Sequence, residues 1–169
     1  MNDVFKEQIV KRKKSGKDTA KKFGLIAALF IIFFVTLVLV QAFAFIITVV
    51  AGFGAFWLMG MLNIEYEYVF TNGELDIDII YNQNKRKRLY TGTVKDFDVM
   101  AHVDDKNHVR DFDGANETKD YSSGVTTNDT YAFLTSYKGK RLKIIFEPNE
   151  MMIKAIASVL TPRKLFKKI

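Results

Sequence analysis

From Phe23 to Ile64 the chain runs for 42 residues without one charged side chain, and no other feature restricts its folding as severely. An apolar helix needs roughly 20 residues to cross the ~30 Å hydrocarbon core of a bilayer, so this stretch is too long for one crossing and long enough for two. Between Leu25 and Val40, 13 of 16 residues are Leu, Ile, Phe or Val. On the insertion scale that run contributes about −4 to −8 kcal/mol. Gln41 and Ala42 interrupt it, which predicts a helical hairpin with spans near 23–40 and 43–62. Ala42-Phe43-Ala44 also has the small-x-small form of a signal-peptide cleavage site. The apolar run before it exceeds the usual 7 to 15 residues, however, and a second apolar stretch follows at once, which argues for retention.

Charge divides the chain in the same way. Residues 1–22 form a basic segment in which Lys6, Lys11, Arg12, Lys13, Lys14, Lys17, Lys21 and Lys22 outweigh Asp3, Glu7 and Asp18. Cytoplasmic flanks of membrane helices carry such an excess, so two crossings place both termini in the cytoplasm of a multi-pass cell-membrane protein. The part beyond Ile64 is almost neutral, so the net charge of +6 is no sign of nucleic-acid binding. Val4, Phe5, Gln8, Ile9 and Arg12 share one helical face, consistent with a short basic amphipathic helix on anionic lipid or with a charged tail that only sets topology. No acidic or basic residue lies in either span, which leaves an ion pathway or proton relay without support. The absence of cysteine removes disulfides, thiolate metal sites and cysteine nucleophiles.

After Ile64 the apolar period changes to two. Tyr66, Tyr68 and Phe70, then Leu75, Ile77 and Ile79, alternate with acidic residues, and Asn72-Gly73 between them suits a tight hairpin turn. Further strands are expected over 86–91, 95–101, 130–137 and 141–146, with a weaker one over 119–125. Pro148 and Asn149 open an amphipathic helix carrying Met152, Ile153, Ile156, Val159 and Leu160, which Thr161-Pro162 ends. The expected organisation is a basic segment 1–22, a transmembrane hairpin 23–62, a soluble domain 65–161 and a basic tail 162–169. About seven strands followed by one helix is the count of a pleckstrin-homology-like (PH-like) barrel.

Tyr68-Val69-Phe70-Thr71-Asn72, the acidic-apolar second strand, Lys85-Arg86-Lys87-Arg88 and Val94-Lys95-Asp96-Phe97 resemble the opening of bacterial pleckstrin-homology domains. With Asn2-Asp3-Val4-Phe5, Glu65-Tyr66-Glu67-Tyr68 and Phe146-Glu147-Pro148-Asn149-Glu150, almost the whole chain resembles a family of small uncharacterised membrane proteins of Gram-positive anaerobic bacteria. The resemblance implies an α+β membrane protein, with a transmembrane hairpin followed by a PH-like antiparallel β-barrel and a C-terminal helix. It brings no activity with it.

Two residue groups stand out as candidate sites. Lys85, Arg86, Lys87 and Arg88 form the densest basic run of the soluble part, suited to anionic head groups or a partner, or equally to pairing with the acidic second strand. Ala44, Thr48, Ala51 and Ala55, with Gly52 beside them, form a small-residue stripe that packs either the hairpin's own first helix or another membrane protein. Asp104, Asp105, Asn107, His108, Asp111, Asp113, Asn116 and Glu117 crowd one polar stretch. A calcium-loop alignment on Gly114 lacks its first ligand, so a disordered acidic loop is expected, with His102 and His108 as loop residues and no metal or cofactor. The closing Arg163, Lys164, Lys167 and Lys168 form a basic tail that either touches the membrane or frays. No nucleophile, base and orienting group converge at a diagnostic spacing, so no enzyme is expected. The expected function is a membrane-anchored cytoplasmic binding or adaptor module, with membrane lipids or a protein as partner. The alternative is a structural subunit assembled through the hairpin.

Overall fold

The computed structural model describes residues 4–161 and 164–166. The chain divides into two compact units, one made of Met1–Lys13, Glu65–Ile80 and Lys85–Ile169, the other of Lys14–Ile64 with Tyr81–Asn84.

The first unit holds two sheets and a helix. One sheet contains β1 (Phe5–Lys11), β2 (Ile64–Thr71), β3 (Glu74–Tyr81) and β4 (Lys85–Thr93), in that order. The other contains β5 (Val99–His102), β6 (Glu117–Asp120), β7 (Tyr131–Tyr137), β8 (Lys140–Phe146) and β9 (Leu165–Phe166), in the order β6-β8-β7-β5-β9. Their inner faces meet through aromatic rings. Tyr68 of β2 lies edge-on to Phe146 of β8 at 5.7 Å, and Tyr90 of β4 meets Phe133 of β7 at 5.4 Å. Phe70, Leu75, Ile77, Phe97 and Ile144 are fully buried among them, as the period-two pattern requires. Among the described residues no ladder joins the two sheets, so the observed architecture is two facing sheets and not a closed barrel.

Asn72 and Gly73 both have positive φ, at 50° and 98°, which closes the β2–β3 hairpin. The third helix of the chain, over Glu150–Val159, is capped by Asn149, whose side chain accepts from the Met152 N–H at 2.9 Å. It buries Met152, Ile153, Ala155 and Ile156 against the sheets.

The N-terminal segment departs from expectation. Residues 5–11 form a strand, not an amphipathic helix or a free tail, and β1 pairs antiparallel with β2 from Phe5↔Thr71 to Lys11↔Glu65. Gln8 explains much of this. Its Nε2 donates to the Glu147 carbonyl at 2.8 Å, and its Oε1 accepts from the Asn149 N–H at 2.7 Å, tying β1 to the start of the C-terminal helix.

The second unit is a helical hairpin. α1 (Gly16–Leu39) and α2 (Ala44–Gly60) are separated by Val40 and a single 3-10 turn at Gln41–Phe43. The final helix, Glu150–Val159, is α3. The hairpin is inserted in the chain between two strands, β1 and β2, that are direct neighbours in one sheet.

Candidate membrane interface

α1 starts well before the apolar run because Ser15 forms a capping box. Its backbone N–H donates to Asp18 Oδ2 at 3.0 Å, and its hydroxyl accepts from the Lys17 N–H at 3.3 Å. Nothing breaks the helix until Val40, whose ψ of 56° leaves the helical region. With a rise of ~1.5 Å per residue, α1 is about 36 Å long and α2 about 26 Å, both of the order of the ~30 Å core. The hydroxyls within the helices are satisfied locally, Thr36 donating to the Ile32 carbonyl and Thr48 to the Ala44 carbonyl, both at 2.8 Å. A segment that meets no water needs such bonds.

The small-residue stripe lies on the side of α2 that meets α1. Ala44 and Ala55 are buried, and Thr48, Ala51 and Gly52 are half-buried. Leu25, Leu29 and Ile32 line the opposite wall of the seam. Small residues here let the two helices approach closely. The outer surface is the reverse of a soluble helix, since Phe30, Phe34, Phe45, Phe53, Phe56 and Trp57 are all more than 60% exposed. Both helices are long and apolar enough to cross a membrane.

The tight turn between β3 and β4 belongs to the hairpin's unit. Asn82 and Gln83 have positive φ, and the Asn82 N–H donates to the Asn63 carbonyl at 2.8 Å, just past the end of α2. The basic run follows directly, and its four members behave differently. Arg86 pairs with Glu67 at 2.6 Å, and Arg88 pairs with Asp76 at 2.7 Å and with Asp78. Lys85 and Lys87 are exposed and have no ion-pair partner among the described residues. Arg86 and Arg88 thus neutralise the acidic face of β2 and β3, which leaves two free cations where the sequence offers four.

Glu67 is nearly inaccessible, and its Oε2 has no hydrogen-bond partner among the described residues. Burial raises its pKa. Arg86 draws it down, while Glu7 and Asp78 push it up further.

The polar stretch after β5 is not the disordered acidic loop expected. It forms a 3-10 turn at Val109–Phe112, with Phe112 buried, and His108 Nδ1 meets Asp111 Oδ2 at 2.8 Å. His102 lies within β5 and not in a loop. Its Nδ1 accepts from the Asp104 N–H at 3.1 Å, so the ring proton sits on Nε2 and is donated to the Thr127 carbonyl at 3.0 Å. Among the described residues no three His, Asp or Glu side chains are arranged to hold a metal ion. Of the basic tail, Lys164 donates to the Phe97 carbonyl at 2.8 Å, while Arg163, Lys167 and Lys168 lie outside the described residues.

Two interactions leave no signal in the sequence, the Gln8 bridge and the grip of Glu147. The Glu147 carboxylate accepts from the Ser123 N–H at 3.0 Å and the Thr127 hydroxyl at 2.6 Å, fastening the 121–130 loop over the core.

No curated protein and no solved structure matches the chain. The family model described as bacterial PH-like domain (DUF6106) matches residues 2–167, nearly the whole chain with its two apolar helices, and the chain belongs to this family of unknown function.

Proposed function

We propose that the protein is a membrane-anchored binding module, whose hairpin crosses the bilayer and holds the PH-like domain at the cytoplasmic surface, where it engages lipid head groups or a protein partner without catalysis. The observation that carries this reading is the pairing of β1 with β2 across the inserted hairpin. Strands bonded to each other lie on one side of a membrane, so the chain must leave and return on the same side. Two exposed apolar helices of spanning length do that, and one crossing cannot. The cluster Lys11, Arg12, Lys13, Lys14 and Lys17 at the hairpin's entry supports the cytoplasmic side.

Lys85 and Lys87 are the surface cations that this module would turn toward anionic lipid. They follow a turn bonded to the residue that leaves α2. Hydrogen exchange of the full chain in nanodiscs of phosphatidylcholine, with and without phosphatidylglycerol, tests their role. The lipid reading predicts salt-sensitive protection over residues 82–88 in the anionic discs, lost in the double variant Lys85→Gln, Lys87→Gln. Equal exchange in both discs would assign the surface to a protein partner. The alternative of a structural subunit would place a partner on the exposed Phe and Trp faces, since the stripe Ala44, Thr48, Ala51 and Ala55 is turned toward α1.

A further inference from the structure

The start of α1 lies beside the end of α2. Between them opens a cleft of about 470 Å³, lined by Lys21, Gly24 and Leu25 of α1 and by Leu58, Met61 and Leu62 at the end of α2. A smaller furrow of about 240 Å³ adjoins it, sharing Leu25 and Leu58 and lined also by Ala28, Ala51, Gly54 and Ile32. We infer that this groove is a binding site for one anionic phospholipid, with an acyl chain lying along the open edge of the α1–α2 seam and the phosphate on the Lys21 ammonium. The inference rests on the proposal that the hairpin crosses the bilayer.

Three observations select this occupant. Apart from Lys21 the walls are apolar, so they suit a hydrocarbon chain and offer nothing to a peptide backbone. From Lys21 to Ile32 is eleven residues, about 16 Å along the helix, close to the depth of one leaflet, which is half of a ~30 Å core. The charge at the mouth is unopposed. Lys17 lies one turn before Lys21, Lys21 has no ion-pair partner among the described residues, and the only acid of α1, Asp18, is turned back onto the Ser15 N–H. A lipid held there would give the module a preference for anionic membranes.

Trp57, the only tryptophan, is exposed on α2 one helical turn from Met61 of the cleft, and serves as a reporter of the lipid beside it. The full chain is reconstituted in vesicles of phosphatidylcholine and phosphatidylglycerol at four to one, with brominated acyl chains on one lipid at a time, and quenching of Trp57 is compared. The expected result is quenching by brominated phosphatidylglycerol in excess of its share of the lipid, by roughly fivefold, the effect of one lysine at an anionic surface. Lys21→Gln should remove the excess. Gly24→Leu should do the same, because a side chain at Gly24 meets nothing within 4 Å and fills the cleft without disturbing the helix. Excess quenching that survives Gly24→Leu would make the preference a property of the charged surface and overturn the site. Quenching in proportion to lipid content would overturn it too, and would leave the membrane-spanning reading intact. Shielding of Trp57 that is relieved as protein is diluted in lipid would put a second hairpin against this end of α2 in place of the lipid and refute a lipid occupant. If neither brominated lipid quenches Trp57, the membrane reading itself fails.

Discussion

Replacing Gln8 by alanine removes two hydrogen bonds at once, the donation to the Glu147 carbonyl and the acceptance from the Asn149 N–H. Each is a neutral bond of ordinary length, with a net contribution of about 1 kcal/mol. The alanine also leaves both peptide groups without their partner at a half-buried position, so the total loss should reach about 2–3 kcal/mol. Because both bonds run from β1 to the start of α3, the loss should appear as local undocking of β1. It should leave the aromatic core around Phe133 and Ile144 intact. Hydrogen exchange of the full chain in detergent reads this directly, at about 1.4 kcal/mol per factor of ten. Amides of residues 5–11 should exchange roughly 30- to 150-fold faster, with those of β7 and β8 unchanged. Gln8→Glu keeps the acceptor and loses the donor, so it should fall between the two. Unchanged exchange over residues 5–11 in Gln8→Ala would refute the idea that this side chain holds the strand to the domain.

Two other perturbations follow from the geometry. Gly73→Ala forces a side chain into the left-handed region at φ 98° and within 3.3 Å of a Val159 methyl, so it should destabilise the domain by about 1–2 kcal/mol, and a neutral result in thermal unfolding would contradict the turn. Glu67, raised above its ordinary 4.5, holds its proton more firmly in the folded than in the unfolded state. Its contribution to stability is therefore present at acid pH and lost as pH rises through the raised value. Glu67→Gln should flatten that part of a denaturation series taken from about pH 4 to about pH 8 and stabilise the domain at neutral pH, while the half-exposed Arg86 turns to water; an unaltered pH slope would show the carboxyl is not strained by burial.

The hairpin and the central strands were readable because each has one strong period or none. Phe23 to Ile64 carries no charge, and Tyr66 to Ile79 alternates in a way only a half-buried strand requires. β1 was not readable for the opposite reason. Its half-buried side is Lys6, Gln8 and Val10, with one apolar residue among three, while the exposed Phe5 and Ile9 are spaced four apart and imitate a helix face. What makes it a strand is a partner far along the chain, and no local pattern records that. His102 was hidden in the same way, since its burial depends on the Thr127 carbonyl 25 residues further on. The basic run was visible as charge, but the division of Lys85 and Lys87 from Arg86 and Arg88 depends on which side chains of β2 and β3 stand opposite.

Whether the hairpin spans the bilayer between two strands held on one side can be tested directly, because the chain has no cysteine. Single cysteines at Ile9 on β1, Ala42 at the hairpin tip and Lys138 in the β7–β8 turn, all exposed, would be labelled with an impermeant maleimide in sealed vesicles of known orientation. Positions 9 and 138 should label from the cytoplasmic side and position 42 from the opposite side. Labelling of 9 and 138 from opposite sides, or of all three from one, would contradict a spanning hairpin.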